Sequence, residues 1–255
     1  MTDHILVTTD NRIARIEIHR PEKKNALLAA MYQGLADAIR AAEQDPSVRV
    51  LMIHGQANCF SAGNDLEDFL GKPPHGEDAP VTRFLQAIST AAKPIVAAVG
   101  GPAVGIGTTM LLHCDLVYAT PGAKFRLPFA SLGLVPEAAS SLLLPMIAGY
   151  QRAAELLLLG QPFGAEKAAA AGIVTEIVPE ADLLEYARNA ALALAALPPN
   201  SVRMTKALMK QTHADTVARH MAEESRLFRQ QLASPEAKEA FTAFFEKRAP
   251  DFSRF

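Results

Sequence analysis

The sequence predicts an α/β layered chain, a coil of similar ββα turns followed by a helical C-terminal region. Three observations carry that prediction. Mostly apolar runs ending at glycine recur at residues 48–55 and 94–101, as buried strands do. A helical stripe precedes each run, at residues 27–42 and 82–91, and strands alternating with helices argue for a layered core. After Glu137 nearly every segment reads as helix.

Taken in order, Ile5-Leu6-Val7 pairs as a hairpin with residues 12–19, whose apolar and polar positions alternate until Arg20-Pro21 stops the strand. Leu27, Met31, Leu35, Ala38 and Ile39 form the stripe of the first helix. Beyond residues 94–101 a short helix is expected over 108–113. Two short strands follow at 116–119 and 124–127, either side of Pro121-Gly122. Helices are expected over 138–148, 150–159 and 164–171, then a strand over 173–178 and helices over 183–197, 202–210 and 215–247. The last is interrupted at Ser234-Pro235. Pro198-Pro199-Asn200-Ser201 reads as a break, with Asn200 or Ser201 as N-cap, so the core is placed at residues 1–197 and the helical region at 198–255.

Composition narrows the function classes. With 255 residues, 49% hydrophobic and 20% charged, the chain has the make-up of an ordinary globular protein. A formal net charge of −2 gives no footprint for nucleic acid or an anionic membrane, so any phosphate must meet a local basic cluster. Residues 94–114 carry no Asp, Glu, Lys or Arg, but Gly100-Gly101-Pro102 and Gly105-Ile106-Gly107 interrupt them, and no membrane span is expected. Cys59 and Cys114 are too few for a disulfide framework and lie outside any metal-ligand spacing, so each is expected as a buried, reduced thiol. The first ten residues lack the features of a signal or transit peptide, and Ser253-Arg254-Phe255 is not a peroxisomal address. A cytoplasmic location is expected.

Two glycine-containing loops are candidates for chemistry: Cys59-Phe60-Ser61-Ala62-Gly63-Asn64-Asp65-Leu66, and the loop from Gly101 to Gly107, which opens a helix. Each follows a buried strand and precedes a helix, where amide N–H groups lack partners and small residues let a ligand approach the backbone. Brought together, two such loops would offer a pair of backbone donors to a developing oxyanion.

These loops, Arg20-Pro21…Asn25-Ala26-Leu27, Cys114-Asp115-Leu116-Val117-Tyr118-Ala119, Lys124-Phe125 and Phe245-Glu246-Lys247-Arg248 resemble, in this order, the segments of the crotonase (enoyl-CoA hydratase/isomerase) family. The resemblance covers nearly the whole chain. It implies a crotonase-like spiral of ββα turns, a helical trimerisation region at the C-terminus, and an acyl-CoA substrate with no separate cofactor or metal. It also implies a thioester carbonyl held by the amides of Asn64 and Ile106. Lys24, Ala26, Ala62, Asp65, Leu66, Gly105, Phe129 and Lys247 fall at positions that would contact the acyl-CoA, Lys247 from the same or a neighbouring subunit. Residues 68–92 would line its pocket.

Departures from the family pattern refine the expectation. Hydratases of the two-glutamate kind carry glutamate where this chain has Thr109 and Phe129. Instead Pro128-Phe129…Leu132-Gly133-Leu134-Val135-Pro136-Glu137 resembles the peroxisomal-type Δ3,Δ2-enoyl-CoA isomerases, whose single glutamate lies in this place. Apolar neighbours Phe129, Leu134, Ala138 and Ala139 would raise the proton affinity of Glu137 by desolvation. Without the resemblance, Glu137 reads rather as a first-turn helix residue favoured by the macrodipole, and the resemblance reverses that preference. Asp65 reads as a turn brace or helix cap, Arg20 and Lys23 as solvated charges or CoA contacts, and His54, His113 and His213 as packing or surface residues. The alternatives are another crotonase-fold acyl-CoA enzyme, such as a hydratase, hydrolase or decarboxylase, or a non-catalytic homologue that binds CoA or RNA.

Overall fold

The computed structural model describes residues 3–56, 58–71, 76 and 78–255. Strands β1 (Ile5–Asp10) and β2 (Ile13–Ile18) form an antiparallel hairpin. β3 (Val50–His54), β4 (Ile95–Val99), β6 (Leu116–Ala119) and β9 (Glu176–Ile177) then add in parallel, giving the order β1-β2-β3-β4-β6-β9. A second, three-stranded sheet joins β5 (Pro102–Val104), β7 (Lys124–Arg126) and β8 (Phe163–Gly164). In one turn of the spiral the chain runs from large-sheet strand β4 to small-sheet strand β5 and on into α4 (Ile106–Thr109), and β6 and β7 repeat the step between sheets.

The period of two along the strands sorts side chains between two cores. Ile13, Val50, Met52, Val96, Ala98 and Tyr118 face α8 (Leu183–Ala196). That helix presents Leu183, Ala187, Ala191 and Ala195 at a spacing of four, and its alanines let it lie close to the sheet. Ala14, Ile16, Ile18, Leu51, Ile53, Ala97, Val99 and Val117 face the other core, under α1 (Ala29–Gln44) and α3 (Pro80–Thr90). Helices α5 (Ser140–Ala148), α6 (Tyr150–Ala154) and α7 (Ala165–Ala170) lead toward α8. α9 (Pro199–Gln211), α10 (Ala214–Leu232) and α11 (Pro235–Phe245) complete the chain. α10 packs on α5, and α11 packs on the turn at residues 130–132.

Several boundaries differ from expectation for identifiable reasons. Leu27 is not helical: its amide donates to Gly63 O at 2.7 Å, and its carbonyl accepts from Asp65 N at 3.0 Å, pairing it with the first loop. The helix expected from Ala138 starts at Ser140, because Ala138 and Ala139 both take left-handed backbone, with φ of 61° and 56°. Neither Asn200 nor Ser201 caps α9. The helix begins three residues earlier than expected, with Pro199 at its first position, where proline's missing N–H is no loss. The strand expected over 173–178 shortens to Glu176–Ile177, while Thr175 bonds Val117 through backbone and side chain.

Candidate active site

The first loop is held from two sides. Asn25, fully buried with φ of 54°, donates through Nδ2 to Gln56 Oε1 and to the carbonyls of Cys59 and Phe60 at 2.9, 3.1 and 3.0 Å. Ser61 N donates to Pro102 O, and Val104 N to Ser61 O, both at 2.9 Å, so the loop zips onto β5. Glycine is required where the two loops meet. A Cβ on Gly63, whose φ is 90°, would stand 2.7 Å from Val104 O; one on Gly107 would stand 2.8 Å from Ser61 O. In the second loop Gly105, at φ 55° and ψ −120°, turns the chain into α4, and its carbonyl accepts from Thr108 and Thr109. Among the described residues, the amides of Asn64 and Ile106 donate no hydrogen bond.

Asp65 braces the loop and starts a helix, as its position suggests. Its Oδ2 accepts from Arg20 Nη1 at 2.8 Å, and Oδ1 accepts from Asp68 N at the start of α2 (Leu66–Gly71). Burial pushes the Asp65 carboxyl up, but the Arg20 guanidinium and the Asp68 and Glu67 amides outweigh it, leaving it below the ordinary value. Asn64 lies across from α1, where the Tyr32 hydroxyl donates to its Oδ1.

Glu137 follows Pro136 and lies 8% exposed, with Oε1 buried and without a hydrogen-bond partner among the described residues. Burial, and then the charge of Glu224, push its carboxyl up to about 8. Phe129, Leu134, Ala138 and Ala139 are all buried around it. His113 is buried and held neutral, with burial depressing its pKa to about 4, so its Nε2–H donates to Ala138 O at 2.8 Å. Glu224, from α10, accepts from Ala139 N at 2.5 Å and from Ser141 N at 2.9 Å.

A cavity of about 620 Å³ joins these parts. Ala26, Ala62, Asn64, Asp65, Leu66, Gly105, Phe129 and Glu137, all singled out in the sequence, lie in its wall. Lys24 and Lys247 do not; their sequence neighbours Lys23 and Arg248 do. Ile106 is fully buried, one residue beyond the wall at Gly105. Of residues 68–92, Phe69 reaches the cavity among the described residues, whereas 72–75 and 77 lie outside them. The wall also takes Phe228 from α10 and Phe241, Phe244 and Phe245 from α11, so the C-terminal helices close a cavity opened by the core. Sequence reading missed Tyr32, His113 and Glu224. Each is an ordinary-looking helix or turn residue brought to the site by tertiary packing.

Cys59 and Cys114 are both free thiols; burial, then Asp115, pushes Cys114 up to about 12. Among the described residues, no cluster of three or more His, Cys, Asp or Glu could hold a metal ion, and no helix is long and apolar enough to cross a membrane.

Residues 8–254 match the family model described as enoyl-CoA hydratase/isomerase. Enoyl-CoA delta isomerase 2 of Homo sapiens is 33% identical over 252 residues, covering 96% of this chain, which spans 64% of that relative's length. The 2,3-dehydroadipyl-CoA hydratase of Escherichia coli is 32% identical, covering 97% of this chain and 98% of its own. The crystal structure of an enoyl-CoA hydratase/isomerase from Pseudoalteromonas atlantica superposes with a TM-score of 0.94 at 44% identity, covering 98% of this chain and all of its own. Fold, loop geometry and these similarities agree: the chain belongs to the enoyl-CoA hydratase/isomerase, or crotonase, family.

Proposed function

We propose that the protein is a Δ3,Δ2-enoyl-CoA isomerase that moves the double bond of an unsaturated acyl-CoA from position 3 to position 2. The observation carrying this reading is one buried, unpartnered carboxylate; of the other two in the wall, Asp65 is paired with Arg20 and Glu67 is exposed. Glu137 has a buried, unpartnered oxygen and a pKa raised to about 8 in an apolar cavity, while Thr109 and Phe129 occupy the two positions where hydratases carry glutamates. An enoyl-CoA delta isomerase among the relatives supports it.

One carboxylate suffices for this chemistry. Ionised Glu137 takes a proton from carbon 2, and the electron pair left behind spreads onto the thioester oxygen. The amides of Asn64 and Ile106, both without partners in the described fold, are the donors that receive that charge. Glu137 then returns the proton at carbon 4, and the double bond comes to rest between carbons 2 and 3. A raised pKa suits both steps, because the same group must accept and release a proton near neutral pH. Apolar walls at Phe129, Leu134 and Phe241 keep water from quenching the intermediate.

Replacing Glu137 by Gln tests the reading. Turnover of a 3-enoyl-CoA should fall by roughly 10²–10⁴-fold, with acyl-CoA affinity retained, because the oxyanion donors are main chain. Near-normal turnover in the folded variant would remove Glu137 as the base. A homotrimer or dimer of trimers belongs to the same reading. Phe228 and Phe241 are spent on the chain's own interior, but Met204, Leu208, Met209, Phe244 and Phe245 remain exposed. Sedimentation at micromolar concentration should give the trimer or hexamer mass, and a monomer would contradict it.

A further inference from the structure

Glu137 precedes two residues that an L-amino acid seldom adopts in succession. Ala138 and Ala139 are both left-handed, at φ 61° and 56°. Backbone of this kind persists where its surroundings over-determine it. Two side chains do so here. His113 donates to Ala138 O from the turn that follows α4. Glu224 does more, reaching from the middle of α10 to the start of α5. Its Oε2 accepts from Ala139 N at 2.5 Å, and its Oε1 from Ser141 N at 2.9 Å and Ser141 Oγ at 2.5 Å. Burial pushes the Glu224 carboxyl up, while the Ser141 hydroxyl and the Ser141 and Ala139 amides draw it down by donating to it, so both of its oxygens are engaged as acceptors. It is 5% exposed.

We propose that Glu224 is the positioning residue of the proton-transfer site: it clamps the left-handed Ala138–Ala139 turn that aims Glu137 into the cavity, and in its ionised form it sets a negative charge behind that carboxyl. The proposal rests on Glu137 being the base. Other groups facing Glu137 are neutral: the Tyr32 hydroxyl from α1, whose pKa burial and then Glu137 push well above its ordinary value, and the depressed imidazole of His113. Lys206 and Lys210 lie behind His113, His220 lies beside Glu224, and Lys23, Asp65, Glu67, Arg126 and Arg248 line the same cavity. Among these, Glu224 is the charge that adds to burial in raising Glu137. One consequence is that α10 carries both Phe228 of the acyl wall and the clamp on the base, so seating of this helix and readiness of Glu137 are a single event.

The test is Glu224→Gln, which keeps size but removes the charge and turns one acceptor into a donor facing amide donors. In the folded variant, turnover should fall roughly ten- to hundred-fold with acyl-CoA affinity little changed. The inflection of kcat/KM on the acid side should move down by about one pH unit, because a like charge near Glu137 is gone. An unmoved inflection overturns the proposal whatever turnover does. If E224Q does not fold, Glu224→Asp keeps the charge and retracts the clamp by one methylene; its inflection should hold while turnover drops, and unchanged turnover overturns the proposal. Glu137→Gln separates the two readings. If E137Q retains turnover, the base assignment fails and this proposal with it. If E137Q is inactive and the E224Q inflection stays in place, the clamp alone is wrong.

Discussion

His113 reaches Ala138: the neutral imidazole donates through Nε2 to the carbonyl of the residue after Glu137, at 2.8 Å and away from solvent. That bond fixes one end of the turn on which the buried carboxyl sits. Replacing His113 by Phe fills the space without a donor and strands a buried carbonyl, at about 1–3 kcal/mol of stability. The cost should depend on pH. Burial holds the folded pKa near 4, against 6.5 unperturbed, so wild-type stabilisation is complete above 6.5 and is lost as pH falls toward 4. Urea unfolding of both proteins should therefore show a wide gap at pH 7 and a narrower one at pH 4.5. A gap that widens on acidification would mean the imidazole is charged in the folded protein.

Glu137 gives the opposite dependence. Its folded pKa of about 8 lies above the ordinary 4.5, so the folded protein holds a proton that the unfolded chain gives up between these values. Stability is complete below 4.5 and declines as pH rises toward 8, by about 1.4 kcal/mol per unit. Glu137→Gln removes the titration. It should raise the melting temperature at pH 7.5 and leave it near wild type at pH 4, with up to roughly 3 kcal/mol gained at neutral pH. Equal shifts at both pH values would show that the carboxyl is not held protonated. With the expected result, one substitution stabilises the fold and lowers turnover, as a functional group buried at a cost to stability should.

Gly63 is where the two loops meet. Because a Cβ there would stand 2.7 Å from Val104 O at a φ of 90°, Gly63→Ala must push the Ser61–Ala103 pairing apart. We expect a loss of about 1–3 kcal/mol and a larger drop in turnover than in acyl-CoA affinity, since the displaced amide is that of Asn64. Gly122→Ala is the control: no atom lies within 4 Å of its Cβ position. Equal melting temperatures for the two variants would show that the loops are not locked together.

Sequence carried the frame of this fold because its elements announce themselves locally. Continuous apolar strands at β3 and β4, the alternation in β2 and the stripe on α1 each reflect a single periodicity. Glu137 was legible through its place in a segment, not through any property of its own. Ala138 and Ala139 open an apolar-rich run that reads as helix, and the hydrogen bonds that override it join them to His113, which donates, and Glu224, which accepts, 25 and 85 residues away. Glu224 sits in a charged stretch of α10 that looks solvent-facing, and only packing against α5 buries it. Pro199 was a missed cue, because proline at the first helical position was the stronger signal than Asn200 or Ser201.

Selectivity between reactions is the most discriminating outcome. Hydration of a 2-enoyl-CoA needs water delivered to carbon 3 and, in the two-glutamate hydratases, a second carboxylate to hold it. Here Phe129 places an apolar ring in the cavity wall, and Thr109 is fully buried outside that wall. Of the other polar groups in the wall, Asp65 is engaged by Arg20 and Ser131 by Pro128 O at 2.8 Å, while Glu67 is exposed. A missing acid–base group is worth about 10²–10⁴-fold in rate. Isomerisation of a 3-enoyl-CoA should therefore exceed hydration of the matching 2-enoyl-CoA by at least roughly a hundred-fold on the same enzyme. Coupled assays with both substrates at one pH measure the ratio directly. If hydration were faster, a group other than Glu137 would have to activate water, and the protein would be a hydratase built without the usual pair of glutamates.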